Sequence, residues 1–424
     1  MISLENETLI VEAIDAGHGD ALLVRYYREN GDIPVILLVD GGPSSARNPK
    51  RETFNPYKDR VIPWLREVRE NLEAEGRLGA RANDPNVVLD LVVCTHIDDD
   101  HIAGIDRLYD CLANQEKCAP GGDAIEARQL WFNSFSAMLK GIDIVDAVSD
   151  QPVTVVQGVA QGERVTVNAP KHGATINAGA PGGLIAGLHI WDKRFAPAKI
   201  TVLNPDRKAL ENLAKDWRKE MAKVKTEVQT SALEGRFPVD RAVPNLSSIV
   251  MVVECFGRSV LLTGDQLSKN ILPALDKAYP DRQGKHRFDV VKVPHHGSIA
   301  NVQREFVERV QADVYVFCAN GKDQNPDPPT LELFAQAAGP DRRFTMAFTT
   351  GGLVYDKAGK KDEPKLPPKL GADSVETLDQ ALAVLRMRYP DFREYVTVVK
   401  RDPDSHALGF GLKKTGGIDI AGAL

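Results

Sequence analysis

An apolar stretch, Val87–Cys94, runs without a break into Thr95-His96-Ile97-Asp98-Asp99-Asp100-His101. The stretch reads as a buried strand. Four potential metal ligands, His96, Asp98, Asp100 and His101, cannot all face one way on extended chain, where successive side chains alternate. On a loop at the strand's end they can converge. The same design recurs along the chain. Apolar runs at 7–14 and 21–27 flank the turn Asp15-Ala-Gly-His18-Gly-Asp20, and Val35–Val39 stops in Asp40-Gly-Gly-Pro43. Ile249–Cys255 and Ser259–Leu262 form a hairpin-like pair that ends in Thr263-Gly-Asp265. Phe288–Val293 enters Pro294-His295-His296-Gly297-Ser298, and Asp313–Cys318 is a further strand. Val61, Trp64, Leu65, Val68 and Leu72 recur at helical spacing. Strands that each close in a polar cluster, with helices between them, predict a mixed α/β layered domain whose site lies where strand ends meet.

Elsewhere the pattern is weaker. Gln129–Leu139 reads as a strand leading into a helix, and residues 150–200 as short strands and loops. Leu210, Leu213, Trp217, Met221 and Val224 mark one helical face, flanked by Arg207, Lys208, Lys215, Arg218, Lys219 and Lys223; such charge-rich faces are usually solvated. Glu363–Lys369 is Pro/Lys-rich and reads as a linker or exposed loop. Asp373 with Glu376 offers a capping box for a helix through Val375, Leu378, Leu382 and Leu385.

Bulk properties exclude little but point one way. A net charge of −6 gives no global positive field for a nucleic acid, though it leaves room for a local basic surface. Cys94, Cys255 and Cys318 sit in apolar runs as buried small hydrophobes. Cys111 and Cys118 are too far apart for a CxxC knuckle, and the five cysteines do not form a disulfide framework. The first residues lack the basic and apolar regions of a secretory signal, and no uncharged apolar run of about 18 residues exists to span a membrane. A cytoplasmic protein, with no membrane partner, is the expectation.

Each polar cluster has a bland reading beside the chemical one. Asp98–Asp100 would suit the acidic start of a helix, and Asp265 would serve as a turn former after Gly264. Histidines flanking the acidic run, and the adjacent pair His295–His296 in a chain of nine histidines, favour chemistry. Mixed imidazole and carboxylate donors suit zinc, manganese or iron.

Taken together and in this order, the clusters resemble the metallo-β-lactamase superfamily, in the variant found as the soluble nuclease domain of ComEC-type DNA-uptake proteins and their stand-alone relatives. The D-x-G-x-G-D-A turn of that group is matched by Asp15 to Ala21, and its L-I-D-G-G turn by Leu38 to Gly42. Its HxDxDHxxG motif is matched by His96 to Gly104. N-x-S, L-L-T-G-D and K-V-P-H-H-G-S are matched at Asn245–Ser248, Leu261–Asp265 and Lys292–Ser298. The resemblance covers about 8–104 and 245–335. It implies an αββα sandwich over residues 1–355, with a large mixed insertion at 105–244 and a C-terminal extension at 356–424.

The resemblance also implies two divalent ions, Zn²⁺ or Mn²⁺. His96 and Asp98 would hold the first, Asp100 and His101 the second, with Asp265 bridging and His296 as the last ligand. His295 would contact a substrate phosphate or protonate the leaving group. Asp40 would orient the ligand histidines from behind, and His18 and Asn245 would stand near the ligands or the substrate. Two departures stand out. Asn245 occupies the place of a further histidine, and Gln324-Asn325-Pro326 replaces a G-H-P turn. The function expected is a metal-dependent phosphodiesterase, foremost a nuclease, in which Asp100 positions a metal-bridging hydroxide. The alternatives are hydrolysis of a small phosphoester or lactone, and a partner-binding module with a decayed metal site.

Overall fold

The computed structural model describes residues 1–3, 5–28, 33–82, 87–113, 125–138, 153–191, 193–207, 210, 245–356 and 375–424. The helix expected over 210–224, beyond Leu210 itself, and the linker at 363–369 lie outside the described residues.

Two eight-stranded sheets carry the architecture. In chain order the strands are β1 (Thr8–Ile14), β2 (Leu22–Tyr27), β3 (Pro34–Val39), β4 (Leu91–Val93), β5 (Gln129–Trp131), β6 (Thr175–Ile176), β7 (His189–Trp191) and β8 (Lys199–Asn204). They continue with β9 (Val250–Cys255), β10 (Arg258–Leu262), β11 (His286–Lys292), β12 (Val310–Phe317), β13 (Phe344–Phe348), β14 (Val396–Lys400), β15 (Ala407–Lys413) and β16 (Ile418–Ala421). The first sheet runs β6-β5-β4-β3-β2-β1-β15-β16 and the second runs β7 through β14 in sequence order. Each is antiparallel in one part and parallel in the other: β3 pairs parallel with β4, and β10 to β14 pair parallel in succession.

Period-two alternation builds the layers. On β1, Leu9, Val11 and Ala13 face the second sheet, joining Val24, Leu37, Val93, Met251, Val253, Val290 and Val316 in a central core. Ile10 and Ile14 face the other way. They pack beneath α1 (Ile62–Ala74), α2 (Asp99–Ala113) and α3 (Val153–Lys171) through Trp64, Leu65, Val68, Ile105, Leu108 and Val165. On the far side of the second sheet, α4 (Ser268–Ala278), α5 (Arg304–Arg309), α6 (Pro328–Ala337), α7 (Leu378–Arg388) and α8 (Pro390–Tyr395) cover Val252, Leu261, Tyr315 and Met346. Helices, sheet, sheet, helices: the order is αββα, as expected.

Four local expectations are revised. Val153–Lys171 is one helix of 19 residues, although its Val and Thr content favours short strands. Gly158 and Gly162 explain it. A Cβ at 158 would lie 2.5 Å from the Ile97 carbonyl oxygen, and one at 162 would lie 3.0 Å from the Phe132 ring. The helix is therefore seated directly on the His96–His101 loop, and that packing overrides local preference. The capping box of α7 is made by Thr377 and Gln380, not by Asp373, which is outside the described residues. Cys111 is disulfide-bonded, whereas Cys94, Cys255 and Cys318 are free and buried, so the expectation of no disulfide fails at that one position. Finally, residues after 355 do not hang off the sandwich. They supply β14 to the second sheet and β15 and β16 to the first. Arg401 also braces the first turn from there, 2.5 Å from Asp15. Among the described residues no helix is long and apolar enough to cross a membrane.

Candidate metal centre

The loops that follow β1, β3, β4, β10 and β11 come to one place, and glycine allows the approach. A Cβ at Gly104 would stand 1.9 Å from the Gly41 carbonyl oxygen, and one at Gly19 would stand 2.0 Å from the Asp100 carbonyl oxygen. Only bare backbone fits at either contact. These three residues are the spaced glycines of the Asp15–Asp20, Asp40–Gly42 and His96–Gly104 motifs. Their role is to let three loops touch.

Asp265 is the hub. Its Oδ2 lies 3.2 Å from His101 Nε2, 3.4 Å from His296 Nε2, 3.5 Å from His295 Nε2 and 4.0 Å from His96 Nε2. Asp100 Oδ2 lies 3.3 Å from His296 Nε2 and 4.0 Å from His101 Nε2. Asp98 Oδ2 lies 3.6 Å from His96 Nε2. Donor atoms of Asp100, His101, Asp265 and His296 all fall within 4.8 Å of one another. On the other side of Asp265 stand His96, Asp98 and His295. The two groups share one carboxylate oxygen.

The far side of each ring is fixed. His101 Nδ1 donates to Asp40 Oδ2 at 2.8 Å, and His296 Nδ1 donates to the Cys318 carbonyl at 2.8 Å. Thr95 gives its hydroxyl proton to Asp40 Oδ2 at 2.7 Å, so its oxygen is left to accept from His96 Nδ1 at 3.1 Å. These partners select the tautomer with a bare Nε2 pointing inward, the arrangement that makes imidazole a metal ligand. His295 and His296 both sit at positive φ, 45° and 55°, a region that side chains other than glycine seldom adopt. That strained turn is what aims two consecutive rings at one carboxylate. His295 keeps 27% of its side chain exposed against 3% for His296.

Among the described residues, Nε2 of His96, His101 and His296 and both carboxylate oxygens of Asp20 make no conventional hydrogen bond, though Lys292 neutralises Asp20 electrostatically. Each orphaned buried polar atom costs about 1–3 kcal/mol, and a cluster of them aimed at one point fits a bound cation. The donor set, imidazole nitrogen with carboxylate oxygen, fits divalent transition ions. The protonation balance agrees. Burial works against the charged form of His101 and His296, yet the surrounding carboxylates, Asp265 foremost, hold both well above the usual histidine range. Burial likewise opposes ionisation of Asp100 and Asp265, and the neighbouring histidines override it and hold both well below the carboxylate range.

Each residue singled out from the sequence can now be placed. His96, Asp98, Asp100, His101, Asp265, His295 and His296 converge. Asp40 lies behind His101. Asn245 is buried beside His295, its Nδ2 3.5 Å from His295 Nδ1, so it does not reach the hub. His18 stands at the edge, where burial lowers its pKa to about 4. Asn325, in the stretch that replaces a G-H-P turn, is buried. Sequence reading assigned no role to Asp20, Lys292 and Thr95. Lys292, 1% exposed, sits 2.5 Å from Asp20 and 3.4 Å from Asp265 Oδ1, and donates to the Gly264 carbonyl at 2.9 Å. A lysine inside an apolar strand next to Pro-His-His was the available signal.

Two facing sheets with His and Asp side chains gathered at their loop ends are the arrangement that the resemblance to metallo-β-lactamase hydrolases implies. The comparisons agree. The family model described as the Metallo-beta-lactamase superfamily matches residues 185–322, about a third of the chain, which takes in Asp265, His295 and His296 but not His96–His101. Over 96 residues, 22% of this chain, the sequence is 33% identical to ComE operon protein 3 of Bacillus subtilis (strain 168), and the match covers 12% of that protein.

Proposed function

We propose that the chain is a phosphodiesterase, foremost a nuclease, working with two divalent ions, zinc or manganese. The observation that carries this reading is the single oxygen, Asp265 Oδ2, reached by four histidine Nε2 atoms from loops far apart in sequence. Formal charge supports the number of ions. Asp20, Asp40, Asp98, Asp100 and Asp265 against Lys292 leave four negative charges, which two divalent cations neutralise. Bound there, the ions would supply Lewis acidity toward a phosphoryl oxygen and a water acidified towards neutral pH.

The protein's own part is positioning. His96, Asp98 and Asp265 would hold one ion, and Asp100, His101, Asp265 and His296 the other. Lys292 occupies Asp265 Oδ1 and leaves Oδ2 to be shared. His295 is the most exposed of the four rings and is placed to meet a substrate phosphate or hand a proton to the leaving oxygen. Asp40, Thr95 and the Cys318 carbonyl keep the other rings from rotating. In-line phosphoryl chemistry asks little more of a protein than this. The motifs shared with the nuclease domain of ComEC-type proteins, together with the partial match to ComE operon protein 3, favour a nucleic-acid substrate.

The test is hydrolysis of bis-p-nitrophenyl phosphate, single- and double-stranded DNA, and RNA with manganese, zinc or chelator. Asp100→Ala and His101→Ala should each lower the rate by at least about a hundredfold while circular dichroism stays unchanged. Parent-like cleavage by both variants would overturn the reading.

A further inference from the structure

Beside the centre lies a cleft of about 400 Å³ that none of the proposed metal donors lines. One wall is the arm at 44–54, folded by pairing of Ala46–Arg47 with Thr53–Phe54. The other is the turn at Lys322, and His18 contributes to the lining. Ties to the centre fix both walls. Asn320 Nδ2 donates to the Arg47 carbonyl at 3.0 Å, joining one wall to the other. Ser44 donates from its amide and hydroxyl to Asp99 Oδ2 at 3.2 and 3.0 Å, and Asp99 precedes Asp100. Gly17 packs so closely on the arm that a Cβ there would stand 2.4 Å from the Ala46 Cβ. The cleft is thus held in register with the proposed ion pair.

Its charge runs against that of the whole chain. Arg47, Arg51 and Lys322 line it and are exposed, against the one carboxylate of Asp356. Among the described residues none of the three cations has a carboxylate partner. The arm's own acidic side chain, Glu52, is already held by Asn48 Nδ2 at 2.8 Å. Exposed cations are ordinary singly. Three of them without a carboxylate partner among the described residues in one concavity, in a chain of net charge −6, with His18 also in the lining, form a site for an anion with several charges. Guanidinium forks suit phosphate oxygens. Among the described residues no Phe, Tyr or Trp lines the cleft as a platform for a base.

The geometry points to a phosphate-binding groove: Arg47, Arg51 and Lys322 grip backbone phosphates of a nucleic-acid strand flanking the phosphodiester at the centre, without reading its bases. The proposal rests on the phosphodiesterase reading above. Its test is fluorescence anisotropy of a labelled 12-nucleotide single-stranded DNA, with the full chain in calcium, at 50 and 200 mM salt. Replacing the three cations together, Arg47→Ser with Arg51→Ser and Lys322→Ser, should weaken binding at least tenfold at 50 mM and flatten the salt dependence by roughly two to three counterions. Removing as many charges at the opposite end of β11, Lys277→Ser with Lys285→Ser and Arg287→Ser, should change it less than twofold. Equal losses from the two triple variants, no binding by the parent chain, or displacement by tripolyphosphate as effective as by unlabelled DNA would each overturn the groove. Absence of bis-p-nitrophenyl phosphate hydrolysis, with selective DNA binding intact, would instead count against the phosphodiesterase reading alone.

Discussion

The centre and the cleft beside it use charge in opposite ways. In the centre Asp20, Asp40, Asp265, Lys292, His96, His101 and His296 are buried, opposite signs lie within about 4 Å, and tethers hold the groups: His101 to Asp40, His296 to the Cys318 carbonyl, Asp20 to Lys292. In the cleft the cations are exposed and unpaired among the described residues. Low local dielectric makes each interaction in the centre strong and each lost partner costly. Solvent and salt screen those in the cleft. One region is therefore built to fix a geometry, the other, as proposed above, would hold a flexible polyanion loosely, and substitutions should separate them by size of effect.

The largest effect is expected at the hub. Asp265→Ala removes the shared oxygen and should lower phosphodiester hydrolysis by about a thousandfold or more, with loss of bound metal read by elemental analysis. Lys292→Met leaves the buried Asp20 carboxylate without its partner and should cost about 3–5 kcal/mol of unfolding free energy in urea. Retained stability there would mean that the centre is less dry than its burial indicates. Gly104→Ala forces a methyl into the Gly41 backbone. A loss of about 1–3 kcal/mol is expected, with weaker metal binding because the two loops move apart. Asp40→Asn keeps the shape but weakens the hold on His101, and should lower metal affinity about 10- to 100-fold with little change in stability. The cleft cations come last, at about tenfold in DNA binding and only at low salt. A cleft variant as damaging as Asp265→Ala would erase the distinction.

Much of the fold could be read in advance because each strand of the two sheets near the centre ends in a short, unusual polar turn. Alternation along β1, β2 and β3 and the helical spacing of Val61 to Leu72 are local signals, and they are matched by the observed layers. The residues that converge were legible for the same reason, since His96–His101, Asp265 and His295–His296 each close an apolar run. What escaped depends on contacts between distant stretches. The helix Val153–Lys171 owes its place to Gly158 against Ile97 and Gly162 against Phe132, which no local pattern reveals. Of the three strands after residue 395, β14 pairs with a strand about 50 residues earlier and β15 with one about 400 residues earlier. Lys292 looks like one interruption of a strand until Asp20, 272 positions away, is found opposite it. Residues 44–54 and 320–322 carry no motif, and only their pairing through Asn320 makes a cleft.

Metal content is the most direct check on the hub. Protein stripped with chelator, reloaded with manganese or zinc and desalted should hold close to two ions per chain by inductively coupled plasma mass spectrometry, falling below one in Asp265→Ala. Parent protein that retains less than about a tenth of an ion per chain after loading with either metal would contradict the account.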